Sequence, residues 1–140
     1  MAYSGTGCLI LGASGSGKSR LMAEMMALGA KLVADDRVEL TEQSGMLMAG
    51  APKELYGIME LRGAGIIRVI DAMPRHVIHL VVELTDADPE RLPEKATTEL
   101  LGRAVPLLKA SKTISASVLL MYLKAMQEGR ILPTDWRPGA

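Results

Sequence analysis

Apolar residues change their spacing several times along the chain, and each change marks an element. Cys8-Leu9-Ile10-Leu11 is an unbroken apolar run stopped by Gly12, which predicts a short buried strand. Beyond a glycine-rich stretch, Leu21, Met22, Met25, Met26 and Leu28 recur at helical spacing up to Gly29, a residue suited to closing a helix. Leu32-Val33-Ala34 reads as a strand ending in Asp35-Asp36, and Val38 to Thr41 resumes extended structure. A turn at Ser44-Gly45 sends Met46 to Ala49 back as a hairpin partner. Gly50 to Leu55 is a connection in which Pro52 forbids a regular helix interior, and Ile66 to Ile70 is a further β-rich run. His76 to Leu84 is the strongest strand pattern, followed by a polar loop from Ala87 to Lys95 that carries Pro89 and Pro93. Val105 to Leu108 predicts a brief strand. The spacing of Val118, Leu119, Tyr122, Leu123 and Met126 then predicts a helix over Ser115 to Gln127, with Gly129 as its stop. Arg130 to Ala140, with Pro133 and Pro138, is expected to be a tail that is frayed or packed along a neighbouring subunit.

The stretch between the first strand and the first helix carries the strongest chemistry. Gly12-Ala13-Ser14-Gly15-Ser16-Gly17-Lys18-Ser19 is a complete P-loop pattern in strand–loop–helix context. Its glycines let the backbone turn tightly and aim several N–H groups at a phosphate, and the positive end of the following helix adds to the attraction. Lys18 is placed to reach the β- and γ-phosphates, and the Ser19 hydroxyl to complete the oxygen shell of Mg²⁺. ATP and Mg²⁺ are therefore the expected cofactors.

Composition narrows the setting. With 140 residues, 49% of them hydrophobic and 23% charged, the chain can bury one real core, and no second folded domain is expected. The formal net charge is zero, with three tyrosines, one tryptophan and no phenylalanine, so neither a basic stripe nor stacking platforms for nucleic acid are present. Cys8 is the one cysteine, which rules out an internal disulfide and a cysteine-rich zinc site and fits a reducing, cytoplasmic setting. Met1 to Gly7 has no basic segment backed by a long apolar stretch, so neither secretion nor membrane insertion is expected. Ten methionines, among them Met22, Met25 and Met26, indicate an adaptable core.

Two further segments gain meaning beside the P-loop. In open α/β sheets ligands collect outside the carboxyl ends of the strands, where Asp35-Asp36 is expected to lie. Two carboxylates there can divide the labour, one holding Mg²⁺ and the other accepting a proton from an attacking hydroxyl; read alone, the pair is equally an acidic turn before Arg37. In Glu60-Leu61-Arg62-Gly63-Ala64-Gly65-Ile66-Ile67, period two points Glu60 and Arg62 to the same face, Glu60 as an oxygen ligand near the metal and Arg62 as a phosphate contact. Alone, that pair reads more simply as an exposed ion pair before a glycine turn. His76 and His79, three apart on the expected strand, point to opposite faces and read as structural, while Asp86 to Lys95 reads as a solvated loop.

In order, spacing and wording, Gly12 to Ser19, Leu32-Val33-Ala34-Asp35-Asp36-Arg37-Val38 and Met59-Glu60-Leu61-Arg62-Gly63-Ala64-Gly65-Ile66-Ile67 together resemble the catalytic domain of HPr kinase/phosphorylase. Those bacterial enzymes phosphorylate a regulatory serine on the phosphocarrier HPr and can also remove it. Weaker similarity runs through Val81-Val82-Glu83-Leu84 and Thr98 to Pro106 into the last helix. The resemblance implies an α/β fold of the HPr kinase/PEP carboxykinase-like P-loop type, with a mixed β-sheet, a P-loop helix and a C-terminal helix. Residues 1–128 would be the catalytic domain and 129–140 a tail. It implies an ATP-dependent serine kinase acting on an HPr-type phosphocarrier in the regulation of carbon metabolism, cytoplasmic and hexameric. Lys18 and the amides of Gly12, Ala13, Ser14, Gly15, Ser16 and Gly17 would cradle phosphate, Ser19, Asp36 and Glu60 would hold the metal, and Asp35 would carry the proton. The resemblance also implies a shortened form without the family's N-terminal domain. Three departures stand out: no histidine precedes Gly12 where the family has one, Arg20 stands where an acidic residue is usual, and the basic loop before the last helix is reduced to Lys109 and Lys112. A nucleotide-binding regulatory module and a small-molecule kinase are the alternatives.

Overall fold

The computed structural model describes residues 1–88 and 90–139; Pro89 of the expected loop and Ala140 of the expected tail lie outside the described residues. In chain order the elements are β1 (Ala2–Tyr3), β2 (Thr6–Leu11), α1 (Lys18–Ala27), β3 (Glu39–Gln43), β4 (Met46–Gly50), a single 3₁₀ turn (Lys53–Leu55), β5 (Ile58–Leu61), β6 (Gly65–Arg68), β7 (Arg75–Val77), β8 (Leu80–Thr85), β9 (Ala96–Leu100), β10 (Arg103–Ser111) and α2 (Ala116–Gln127).

The central sheet has the order β1-β2-β8-β10-β9. Its inner strands β2, β8 and β10 run parallel, while β1 and β9 close the edges antiparallel. The expected α/β fold with a mixed sheet, a helix after the glycine loop and a C-terminal helix is thus the fold observed. Because successive side chains alternate across a strand, the sheet feeds two cores. Cys8, Ile10, Leu80, Val82, Leu84 and Ala110 face the helices, where Met25, Leu119 and Leu123 are completely enclosed. Leu9, Val81 and Val105 face the other way, onto Leu47, Ala49 and Ile78 from the small sheet β3-β4-β7. Helices, central sheet and small sheet form three layers.

The expected hairpin turn and the start of the last helix hold in detail. The β3–β4 turn has Ser44 at φ 52° and Gly45 at φ 78°, the left-handed pair that matches the twist of a two-residue hairpin. Ser115 caps α2 by accepting a hydrogen bond from the Val118 amide at 3.2 Å. Among the described residues no helix is long and apolar enough to cross a membrane.

Others are corrected. Leu32-Val33-Ala34 is buried but is not a strand. The hairpin return of β1 occupies the edge of β2, leaving this segment one isolated bridge, Ala2 with Lys31, and one bond from the Met73 amide to the Leu32 carbonyl at 2.8 Å. His76 to Leu84 is two strands in different sheets. The Ile78 amide bonds to Leu47 of β4 and the His79 amide to Gly7 of β2, so the chain changes sheets at this point. The run at Ile66 ends at Arg68, where the Val69 amide turns to Gly57. The brief strand at Val105 to Leu108 is the middle of the longer β10, and its hairpin partner β9 went unforeseen because its alternation is polar. On α2 the buried stripe is Ala116, Leu119, Leu120 and Leu123; Tyr122 and Met126 pack at its margin, while Val118 is 56% exposed and does not belong to it.

Candidate nucleotide-binding site

The glycine loop lies where the parallel strand β2 ends. β2 runs out at Leu11 and the glycine loop carries the chain into α1. Gly15 and Gly17 adopt φ of 81° and 86°, which an L side chain resists. The Ser16 amide closes a turn onto the Ala13 carbonyl at 3.0 Å. Any Cβ on Gly12 would collide with the Ser16 hydroxyl, so a side chain there would push that hydroxyl aside. Gly17 is the N-cap of α1 and no side chain caps the helix, which leaves the first-turn N–H groups without a side-chain acceptor. The Ser16 hydroxyl is itself buried without a hydrogen-bond partner. Lys18 and Ser19 are the first two residues of α1 and are half-buried; Arg20 instead leans outward toward Glu24 at 3.8 Å.

The neighbouring strand ends enclose one side of the loop. The Lys112 amide bonds to the Thr85 carbonyl at 3.0 Å and its ammonium pairs with Asp86, also at 3.0 Å, tying the ends of β8 and β10 together. The Lys112 carbonyl lies 3.8 Å from where a Cβ on Gly17 would sit, so the turn between β10 and α2 abuts the loop. The Asp86–Lys112 pair was not foreseen from the sequence, because an acid in a polar loop has no local mark that distinguishes it from a solvated one.

The acidic segment approaches from the other side. Val33, Ala34 and Val38 share a small cavity with Ile10 and Met22, which seats this segment against β2 and the second turn of α1. Asp35 follows directly and is half-buried, and its Oδ2 accepts the Glu60 amide at 3.1 Å. That amide points away from β6, so the Asp35 carboxylate caps the free edge of β5. Met59, completely buried beside it, anchors β5 in the helix-side core. Asp35 and Glu60 are thus brought together, through a carboxylate and a main-chain amide. The Glu60 side chain and Asp36 are exposed. Arg62 is exposed too, and it lies in the β5–β6 turn, where the Ala64 amide closes onto Leu61 at 2.9 Å. The extended register that would align it with Glu60 stops at Leu61.

Among the described residues no three His, Cys, Asp or Glu side chains form a ready-made metal cage. A cavity of about 1380 Å³ lies elsewhere, between α2, β10, residues 90–97 and residues 129–137. A phosphate cradle made of main-chain amides is an open surface feature, so its distance from that cavity does not count against it.

These features define an α/β domain that presents a P-loop sequence at the carboxyl edge of a mixed sheet. Residues 1–113 match the family model described as the HPr Serine kinase C-terminal domain, and the chain belongs to that family. It is 34% identical over 116 residues to the HPr kinase/phosphorylase of Brevibacillus brevis, covering 74% of this chain and 37% of that protein. To the HPr kinase/phosphorylase of Limosilactobacillus reuteri it is 39% identical over 115 residues, covering 74% and 36%. The chain therefore spans little more than a third of these curated relatives. The solved Hpr(Ser) kinase/phosphatase from Coxiella burnetii superposes with a TM-score of 0.75 at 25% identity, over 91% of this chain and 85% of that one.

Proposed function

We propose that this domain transfers the γ-phosphoryl group of ATP to a serine of an HPr-type phosphocarrier protein. The observation that carries the reading is the Asp35 carboxylate, held by the Glu60 amide on a segment seated against β2 and α1 beside the P-loop sequence. The buried, unpartnered Ser16 hydroxyl and the uncapped start of α1 supply donors suited to phosphate oxygens.

The loop amides from Gly12 to Gly17 and the Lys18 ammonium hold the phosphates, and Arg62 meets the outer phosphate charge. The Ser19 hydroxyl, Asp36 and Glu60 hold Mg²⁺; few protein oxygens suffice, because this ion keeps water and phosphate oxygens in its shell. When bound, Mg²⁺ neutralises charge on the phosphate oxygens. Asp35 Oδ2 is engaged by Glu60, which leaves Oδ1 to accept the proton of the attacking serine hydroxyl. In the reverse direction Oδ1 returns that proton to the serine oxygen as inorganic phosphate takes the phosphoryl group. Such chemistry asks mainly for alignment and charge neutralisation. In this reading residues 1–128 are the catalytic unit, working in the cytoplasm as a homo-oligomer.

Labelled ATP, Mg²⁺ and purified HPr-type carriers test it. Label on a carrier serine supports the proposal, nucleotide binding without transfer indicates a regulatory module, and label on a metabolite indicates a small-molecule kinase.

A further inference from the structure

His79 stands where the chain crosses from the small sheet to the central one, and it replaces a rung of the β ladder. Its own amide donates to the Gly7 carbonyl at 2.8 Å. In return the Gly7 amide donates to the imidazole Nδ1 at 3.0 Å, although Gly7 belongs to β2 and its natural acceptor would be a backbone carbonyl. Nδ1 must therefore be unprotonated, and the ring is neutral with its proton on Nε2. The neighbouring His76 carries a proton on Nδ1, which donates to the Val77 carbonyl at 2.8 Å. The two rings meet edge to face with centroids 6.0 Å apart, although spacing on one unbroken strand would have put them on opposite faces. The junction is tight, for a Cβ on Gly7 would collide with the Val77 carbonyl.

We infer that His79 is a pH-sensitive clamp between the two sheets, closed when its imidazole is neutral and opened by a proton on Nδ1. A protonated Nδ1 is a donor facing the Gly7 N–H, another donor, so the bond cannot survive and the start of β2 loses its hold on the crossover.

The surroundings favour the neutral form. Burial, and then the charge of His76, hold His79 below the ordinary histidine value of 6.5. From β7 come His76 and the exposed Arg75, while β4 brings no charged residue to the junction. From β2 come the uncharged Thr6 and the buried Cys8; α2 contributes the neutral Gln127, bonded to the Thr6 hydroxyl at 3.3 Å. The Met1 α-amino group bonds to the Cys8 carbonyl at 3.2 Å. Burial and His76 are the influences that act on the ring, and neither is a carboxylate that would favour the cation.

The test is an NMR titration of the intact chain from pH 8 to pH 5.5, paired with thermal melts. His79 should titrate below 6.5, with the Gly7 amide following the same midpoint. Its protection from exchange should fall about tenfold, the scale of one lost hydrogen bond. His79→Asn offers an amide oxygen near the position of Nδ1 without titrating. It should keep the Gly7 bond and flatten the fall in Tm, while the Met1 amine contributes equally to both proteins. His79→Ala should lower Tm at both ends of the range. A His79 midpoint at or above 6.5, a Gly7 amide that ignores it, or an Asn variant whose Tm falls with acid as the parent's does would each overturn the inference.

Discussion

Asp35 and Glu60 show how differently side chains and main chain are written in a sequence. The acid was legible in Asp35-Asp36, but the group that orients it is a backbone N–H, which every residue except proline possesses and which leaves no trace in residue identity. Asp35→Ala should lower phosphoryl transfer by about 10²–10⁴-fold, the usual worth of a positioned general base, while leaving nucleotide affinity unchanged. Lys18→Ala should weaken both. Steady-state transfer rates beside equilibrium nucleotide titration separate the two effects, and an Asp35→Ala enzyme of full activity would refute the role given to that residue. Gly12→Ala acts without touching charge, because its methyl group would displace the buried Ser16 hydroxyl. Nucleotide binding should fall while Tm changes little, since Ser14 and Gly15 at the loop tip are exposed and bear no core.

Elements were legible where local pattern and local turn chemistry agreed. α1 and α2 declared themselves by spacing and closing glycines, and the β3–β4 hairpin by Ser44-Gly45. Ser4-Gly5 carries the same signal, seen with paired positive φ at the β1–β2 turn, whereas Leu101-Gly102 adopts that pair at the β9–β10 turn without the first residue announcing it. A two-residue β1 and a polar edge strand β9 offer little apolar pattern to set beside such turns. β10 tolerates Pro106 in mid-strand because pairing with β8 starts only at Leu107. On α2 the buried stripe sets the expected energies. Leu119→Ala, at a completely enclosed position, should cost about 2–5 kcal/mol. Ser115→Ala should cost about 1 kcal/mol through the lost cap. Val118→Ser should be near neutral by comparison; urea melts of the three variants check the order.

Acid should destabilise the molecule in two windows of different character. The His79 value lies below its ordinary 6.5, so the stability this residue contributes is complete above that pH and is lost as pH falls through the folded value. Glu42, bonded by Arg103, Asp71, bonded by Lys31, and Glu128, bonded by Arg130, are held below their ordinary values of 4.5, 3.8 and 4.5. Their contribution is complete above those values and disappears only in stronger acid. These three pairs are solvent-exposed, so their window should shrink in about 1 M salt, whereas the His79 window, which depends on a neutral hydrogen bond, should persist. Melting curves against pH at low and high salt measure both. The family match accords with this architecture, a mixed sheet with a helix after the glycine loop and a C-terminal helix.

By itself the sequence determined the strand–loop–helix unit with its phosphate-binding pattern, the two helices and the acidic pair, because each is encoded by neighbouring residues. Only the tertiary structure decided that β1 takes the edge of β2 in place of Leu32-Val33-Ala34, that the chain changes sheets at Ile78-His79, and that the Glu60 amide holds Asp35. Those outcomes depend on which segment or carboxylate meets an unpaired edge most favourably, a competition for backbone groups that are chemically alike at every position.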